Sequence, residues 1–165
     1  MREAERVEFE WIFRSTYRSV LRTTYLVLHD RGRAEEVTQD AFLRLYERWR
    51  GVAAIEHPEA WVRRVAVRAA VRSAQRTRLR TAPPPDEDQA TWDEIPDVDL
   101  ARAVASLAPQ QRAAVALHYL DDLKVDDVAR HLGVSTSTVK QHLFRARTRL
   151  ATMLSENVEV AGDVD

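Results

Sequence analysis

Lys140, Gln141, Phe144 and Arg145 stand within the stretch VKQHLFRARTRL, across a helix from Val139, Leu143, Ala146 and Leu150. Lys and Arg bind phosphates or guanine edges, Gln reads adenine, and Phe contacts a thymine methyl. A second set, Arg64, Arg68, Arg72 and Arg76, recurs every four residues in WVRRVAVRAAVRSAQRTRLR, which holds seven Arg and no acid. At 3.6 residues per turn this stripe winds by about 40° per step and stays on one broad side of a helix. Adjacent like charges repel unless they meet an anion, and a nucleic-acid backbone is the densest one available. The plain alternative for both sets is a solvated basic face. Trp49 and Trp61, beside the arginines, can be core residues or can stack on unpaired bases.

Catalysis finds little support. His29, His57, His118, His131 and His142 are scattered without metal-ligand spacing, there is no glycine-rich phosphate loop, and there are no cysteines. The pairs Asp121–Asp122 and Asp126–Asp127 suit helix starts better than a cation site. No catalytic residue, metal site or cofactor is therefore expected. Absence of cysteine also removes disulfides and is compatible with a reducing compartment. No run of about 18 apolar residues could span a bilayer, and MREAERVEFEW lacks the apolar stretch of a signal peptide. A cytoplasmic protein without membrane insertion is expected.

A net charge of −1 conceals segregation: residues 1–80 carry +6, 81–99 carry −7, 100–154 carry +4 and the tail 155–165 carries −4. Neither basic block need behave as the neutral average does. Between them TAPPPDEDQATWDEIPD, with three consecutive prolines, reads as an extended, flexible acidic linker. Scarce Gly and abundant Ala, Arg, Leu and Glu favour helices, and no stretch alternates as a strand does. The expected fold is all-α: a three-helix-type N-terminal domain and a helix-turn-helix C-terminal domain.

In the first block, helices are expected over 9–28, 33–49 and 58–78. Phe9, Ile12, Phe13, Val20, Leu21 and Leu28 share one face of the first, and Val37, Ala41, Leu45 and Trp49 one face of the second. RGVAAIEHP reads as a loop before Pro58, a good first-turn residue. In the second block, helices are expected over 100–107, 109–120, 125–132 and 135–154. Ala129 followed four residues later by Gly133, with Ser135 as N-cap and Val128, Leu132, Val134, Val139 and Leu143 as apolar anchors, is the pattern of a helix-turn-helix. Glu36, Gln39, Asp40, Leu43 and Glu47 share one face of the second helix. An acidic face in a basic domain suits a protein partner with basic residues, although charged helix faces are commonly just solvated.

Taken in order, RAEEVTQDAFLRLYERW, PEAWVRRVAVRAAVR and LAPQQRAAVALHYLDDLKVDDVARHLGVSTSTVKQHLFRARTRL resemble an extracytoplasmic-function sigma factor of bacterial RNA polymerase, of the sigma-70 family and actinobacterial type. The resemblance runs from about residue 9 to 154. It implies a transcription initiation factor whose partners are core RNA polymerase, through its clamp helices and flap, and promoter DNA. By the resemblance, Glu36, Gln39, Asp40, Leu43 and Glu47 bind polymerase. Arg50, His57, Trp61, Arg64, Arg68 and Arg72 serve the melted minus-ten element, and Thr138, Lys140, Gln141, Phe144 and Arg145 the minus-thirty-five element. The linker would thread the polymerase's basic RNA path, and an anti-sigma factor would cover one or both domains. Arg68 and Arg72 depart from the Asn and Asp common in the family, Lys124 and Val125 from its polar cap, and Thr38 is unusually polar. The rival reading is a dimeric helix-turn-helix regulator on duplex operator DNA, which leaves the arginine helix and the linker without a role.

Overall fold

The structure, a computed structural model, describes residues 1–55, 57–78 and 98–162. Of the linker expected over 81–99, residues 81–97 lie outside these, as do the last three residues of the chain, whereas Val98 and Asp99 open a helix. Helices α1 (Glu3–Leu28), α2 (Arg31–Glu47), α3 (Trp49–Ile55) and α4 (Pro58–Arg78) form the first block. The second comprises α5 (Val98–Ala105), α6 (Pro109–Val115), α7 (Val125–Leu132) and α8 (Thr136–Gly162). No strand occurs among the described residues, so the all-α class holds.

Several helix ends are set by local chemistry. Glu5 accepts a hydrogen bond from the Arg2 backbone N–H (2.7 Å), which starts α1 six residues before Phe9. Asp30 caps α2 by accepting from the Arg33 N–H at 3.0 Å. The expected loop RGVAAIEHP instead contains α3, seven residues long. Its side chains explain the helix: Trp49 and Val52 are buried, so packing overrides the weak propensities of Gly51 and Val52. The helix after Pro109 runs to Leu120 as expected, but its last turn, Ala116–Leu120, is a π-helix, with the Asp121 N–H reaching back to the Ala116 carbonyl at 3.2 Å.

Ile12, Val20, Ala41, Phe42, Leu45, Trp49, Val52, Val62 and Ala66 form the core of the first block, with Phe9, Tyr17, Trp61 and Val65 against it. Phe9 meets the edge of Trp49 at 5.7 Å, and Phe13 that of Phe42 at 5.1 Å. Trp49 is therefore core. Thr38, polar inside α2, is fully buried and hydrogen-bonded to Thr24 at 2.9 Å, which satisfies both hydroxyls between the helices.

The second core joins the two blocks. Tyr25–Leu28 of α1 and Val67, Ala70, Val71 and Ala74 of α4 pack in one cluster with Val104, Leu107, Ala113–Leu117, Val128, Leu132, Val139 and Leu143. Every residue from Thr23 to Leu28 is consequently buried, because the end of α1 is clasped from both sides. The two blocks therefore share a core where the sequence, with its tether, suggests separate units.

Gly133 ends α7 with φ +68°, and its N–H bonds to the Ala129 carbonyl. A Cβ there would also meet the Arg68 guanidinium at 3.2 Å. Gly133→Ala should lower unfolding stability by roughly 1–2 kcal/mol, from backbone strain and crowding, measured by urea titration. An unchanged midpoint would contradict the left-handed turn.

Candidate nucleic-acid interface

The helix-turn-helix is built as its local signals require. Ser135 Oγ accepts from the Thr138 N–H at 3.1 Å and pairs with the Thr138 hydroxyl at 2.8 Å, so Thr138 is partly engaged in capping α8. Val139, Leu143 and Ala146 are buried against α6 and α7, whereas Lys140, Gln141, Phe144 and Arg145 are exposed. Phe144 keeps 65% of its surface in contact with solvent, and four differently functionalised side chains thus share one open face. His142 is half-buried, and Leu143 does the packing. Arg147 and Arg149 are tied back instead, to the Tyr119 hydroxyl (3.0 Å) and Ser106 Oγ (3.2 Å).

The candidate residues of the first block divide between two places. Arg50 and Trp61 line an open cleft of about 500 Å³ together with Tyr46, Glu47, Arg48, Trp49, Met1 and Glu5. Arg50 is exposed and pairs with Glu5 at 3.4 Å, while Trp61 is half-buried at the wall. His57 is exposed just before α4. Arg64 is half-buried. Arg68 and Arg72 instead border a separate hollow between the blocks, beside Gln110 and Gly133. Arg72 is exposed there, but Arg68 turns into the second block and donates to the carbonyls of His131 (2.8 Å) and Arg130 (2.9 Å). Burial, then the charges of Arg64 and Arg72, lower its pKa from the usual guanidinium value.

The acidic stripe of α2 is open throughout. Glu36, Gln39, Asp40, Leu43 and Glu47 are all exposed, Leu43 by 55%. Asp40 holds Arg44 at 3.6 Å, a solvent-screened pair that constrains little. Glu47 ends the stripe at the rim of the cleft, so the acidic face runs directly into the Arg50–Trp61 site.

Sequence reading missed Glu5 and Met1 at the cleft, which depend on the early start of α1, and Arg63. It also read Asp121 as a helix-start acid. Asp121 instead lies between the blocks, 3.0 Å from Arg63 and 2.7 Å from the Thr23 hydroxyl. Among the described residues no group of three or more His, Cys, Asp or Glu could hold a metal ion, and no helix is long and apolar enough to cross a membrane.

At the end of α1, burial and then the Arg112 charge depress the His29 pKa to about 4, against a weaker opposing bond to the Leu26 backbone. The folded protein thus resists a proton that the unfolded chain accepts below about 6.5. Stability is full above that pH and declines as pH falls towards 4, by about 1.4 kcal/mol per unit and on the order of 3 kcal/mol in all. His131, also lowered chiefly by burial, adds the same sign. Thermal melts at pH 7.5 and 5.0 should differ accordingly, and His29→Asn should flatten the dependence. Equal melting at both pH values would contradict the buried neutral imidazole.

Comparison with known proteins joins these elements. Residues 12–80 match the family Sigma-70 region 2, and residues 97–150 match Sigma-70, region 4. An all-helical first block with an open acidic helix and a helix-turn-helix second block thus define a transcription factor of the sigma-70 class. The chain is 32% identical to the RNA polymerase sigma-E factor of Streptomyces antibioticus over 155 residues, covering 91% of this chain and 86% of that protein. It is 31% identical to the ECF RNA polymerase sigma factor SigM of Mycobacterium tuberculosis over 157 residues, 91% of this chain and 79% of the relative. The fold is that of the sigma factor RpoE from Bartonella quintana, solved in complex with the anti-sigma factor NepR. Its TM-score is 0.72 at 21% identity, over 90% of this chain and 97% of that one. The chain belongs to the extracytoplasmic-function RNA polymerase sigma factors. It is a transcription initiation factor that directs RNA polymerase to promoters, in a family of regulatory rather than catalytic proteins.

Proposed function

We propose that this sigma factor attaches to the polymerase clamp helices through Glu36, Gln39, Asp40, Leu43 and Glu47. Arg50 and Trp61 then receive the melted minus-ten strand in the adjoining cleft, with His57, Arg64 and Arg72 supplying charge along its path. Lys140, Gln141, Phe144 and Arg145 read the minus-thirty-five duplex in the major groove, and Thr138 approaches the phosphates. Arg68 joins the minus-ten set only after leaving the carbonyls of Arg130 and His131. The chain itself carries no catalytic step; the polymerase makes the transcript, and the sigma factor works in the cytoplasm.

The observation that carries this reading is the face of α8. Its inward residues are buried, while a lysine, a glutamine, an arginine and a largely exposed phenylalanine stand together on the other side. Leaving a phenylalanine so exposed is unfavourable in the free protein and suits a surface that is covered on binding. The test is reconstitution of the chain with core polymerase on a promoter found by transcript mapping, with permanganate probing of melted thymines. Trp61→Ala with Arg50→Ala should retain polymerase binding and lose the melted-thymine signal. A signal equal to wild type would remove the cleft from strand capture.

Control by an anti-sigma factor belongs to the same proposal, since the similar Bartonella fold was solved with one bound. Its test is recovery from the native host of a protein that blocks association with polymerase. A screen that returns only polymerase subunits under every growth condition would argue against it.

A further inference from the structure

The π turn Ala116–Leu120 carries Tyr119. Single π turns occur frequently at functional sites, and none of the contacts proposed above uses this one. Tyr119 stays 49% exposed, yet it is held from two sides. The His118 ring meets it edge to face at 4.8 Å, and His118 is itself fixed by donating from Nδ1 to the Leu123 carbonyl at 2.8 Å. From α8, Arg147 Nη1 donates to the Tyr119 hydroxyl at 3.0 Å. A phenol oxygen that accepts from a guanidinium still has its own proton to give. Among the described residues that proton meets no acceptor, and Arg147, which is exposed, makes no ion pair. Arg149 makes the same kind of bond to Ser106 Oγ, but there the hydroxyl proton is taken by the Ala103 carbonyl at 2.6 Å.

Helical geometry places this pair beside the reading face of α8. Arg147 follows Lys140 by two turns, so the two lie about 20° apart around the axis and roughly 10 Å apart along it. Both stand at the margin between the buried stripe of Val139, Leu143 and Ala146 and the open face of Gln141, Phe144 and Arg145. A major groove about 12 Å wide just admits a helix of about 10–12 Å with its side chains, so the margins of a helix seated there come against the phosphates of the groove walls. An exposed hydrogen bond between a guanidinium and a phenol adds little to stability. It does fix a flexible side chain in advance, which lowers the ordering cost of meeting an anion. Two donors, one of them charged, thus stand side by side with no carboxylate among the described residues to satisfy them.

We propose that Tyr119 and Arg147 form a two-donor clamp for one backbone phosphate of the duplex that carries the minus-thirty-five element. The inference rests on the seating of α8 in the major groove proposed above. The Tyr119 hydroxyl and the Arg147 guanidinium each donate to a non-bridging oxygen, and the second bond is charge-assisted. Because the ligand is backbone and not base, the clamp fixes the register of α8 on the duplex and carries no sequence preference of its own. Tyr119 is both a donor to the phosphate and the positioning residue for Arg147. The π turn that brings its ring to α8 thereby gains a function.

The test uses the full chain with core polymerase on a duplex carrying a mapped promoter, titrated between about 50 and 200 mM salt. Arg147→Ala should weaken binding about tenfold, equally for all single-base variants of the minus-thirty-five element. It should also reduce the slope of log affinity against log salt by about one. Tyr119→Phe keeps the ring and the neighbouring charge. It should cost about three- to fivefold, with the salt slope retained and melting of the free chain unchanged. Arg147→Lys should restore the slope but only part of the affinity, since an ammonium lacks the planar fork. Arg145→Ala, run in parallel, should alter preference at one base pair. If Arg145→Ala weakens binding while Arg147→Ala and Tyr119→Phe match wild type, the clamp is refuted and the reading face of α8 stands. Loss that tracks a lowered melting temperature, with the wild-type salt slope kept by Arg147→Ala, reduces the pair to a brace between helices and equally refutes it. Should neither Arg145→Ala nor Arg147→Ala change binding, α8 does not meet this duplex and the clamp falls with that placement.

Discussion

Glu36→Lys combined with Asp40→Lys is expected to abolish co-elution with core RNA polymerase, weakening association by about 100-fold or more. Each reversal replaces an attraction across the interface with a repulsion, a change worth several kcal/mol when the partner surface is basic, and every 1.4 kcal/mol is tenfold. Both side chains are exposed, and Asp40's pair with Arg44 is screened by solvent. The fold should therefore melt within about 0.5 kcal/mol of wild type. Glu36→Gln with Asp40→Asn should fall between the two and should reduce the salt dependence of binding. Leu43→Ala, which removes the exposed apolar member of the stripe, should weaken association without altering that dependence. Normal co-elution of the double reversal would detach α2 from polymerase binding.

Reversal of Lys140 and Arg145 to glutamate should leave polymerase binding intact and eliminate transcription from promoters that depend on the minus-thirty-five element. A well-made base contact is worth about 1–3 kcal/mol, so either alanine variant alone should cost roughly 5- to 150-fold. The double reversal also repels the backbone and should cost more than the two alanines combined. Phe144→Ala is the informative companion: loss of an apolar contact should relax preference at one base pair rather than weaken all sequences equally. Gel shifts with single-base promoter variants read that difference. Undiminished transcription by the double reversal would remove α8 from promoter recognition.

These two surfaces were legible because their signals are local. Gly133, Ser135, Val139 and Leu143 lie within eleven residues and encode a turn, a cap and a buried stripe that short-range rules describe. Likewise, Glu36 to Glu47 fall on one face by helical spacing alone. Pro58 marked the start of α4 correctly. What remained hidden depends on partners distant in sequence. Thr38 looks anomalous in α2 until Thr24 is placed opposite it. α3 is too short and too poor in helix formers to announce itself, and exists because Trp49 and Val52 have a core to enter. Tyr25, Leu26 and Val27 do not follow one amphipathic face, because a second block covers the side that α2 and α4 leave open.

The arginine stripe shows the same limit within a single helix. Spacing places Arg64, Arg68 and Arg72 on one broad side, and all read equally well as phosphate ligands. In the structure Arg68 serves carbonyls of the other block, while Arg72 stays exposed. The carbonyls of Arg130 and His131, at the end of α7, are the acceptors that divide them, and no periodicity within α4 could reveal it. Asp121 repeats the lesson, since a carboxylate near a helix start and one buried between two guanidinium groups look alike in sequence.

The most direct measurement of the central claim is mapping of transcript starts made by core polymerase alone and with this chain on genomic DNA. The account predicts initiation at a restricted set of sites sharing two elements, appearing only with the chain and lost with the Glu36/Asp40 reversal. Starts that do not change on adding the chain, together with tight binding of the free chain to palindromic duplexes, would contradict it and favour a dimeric operator-binding regulator.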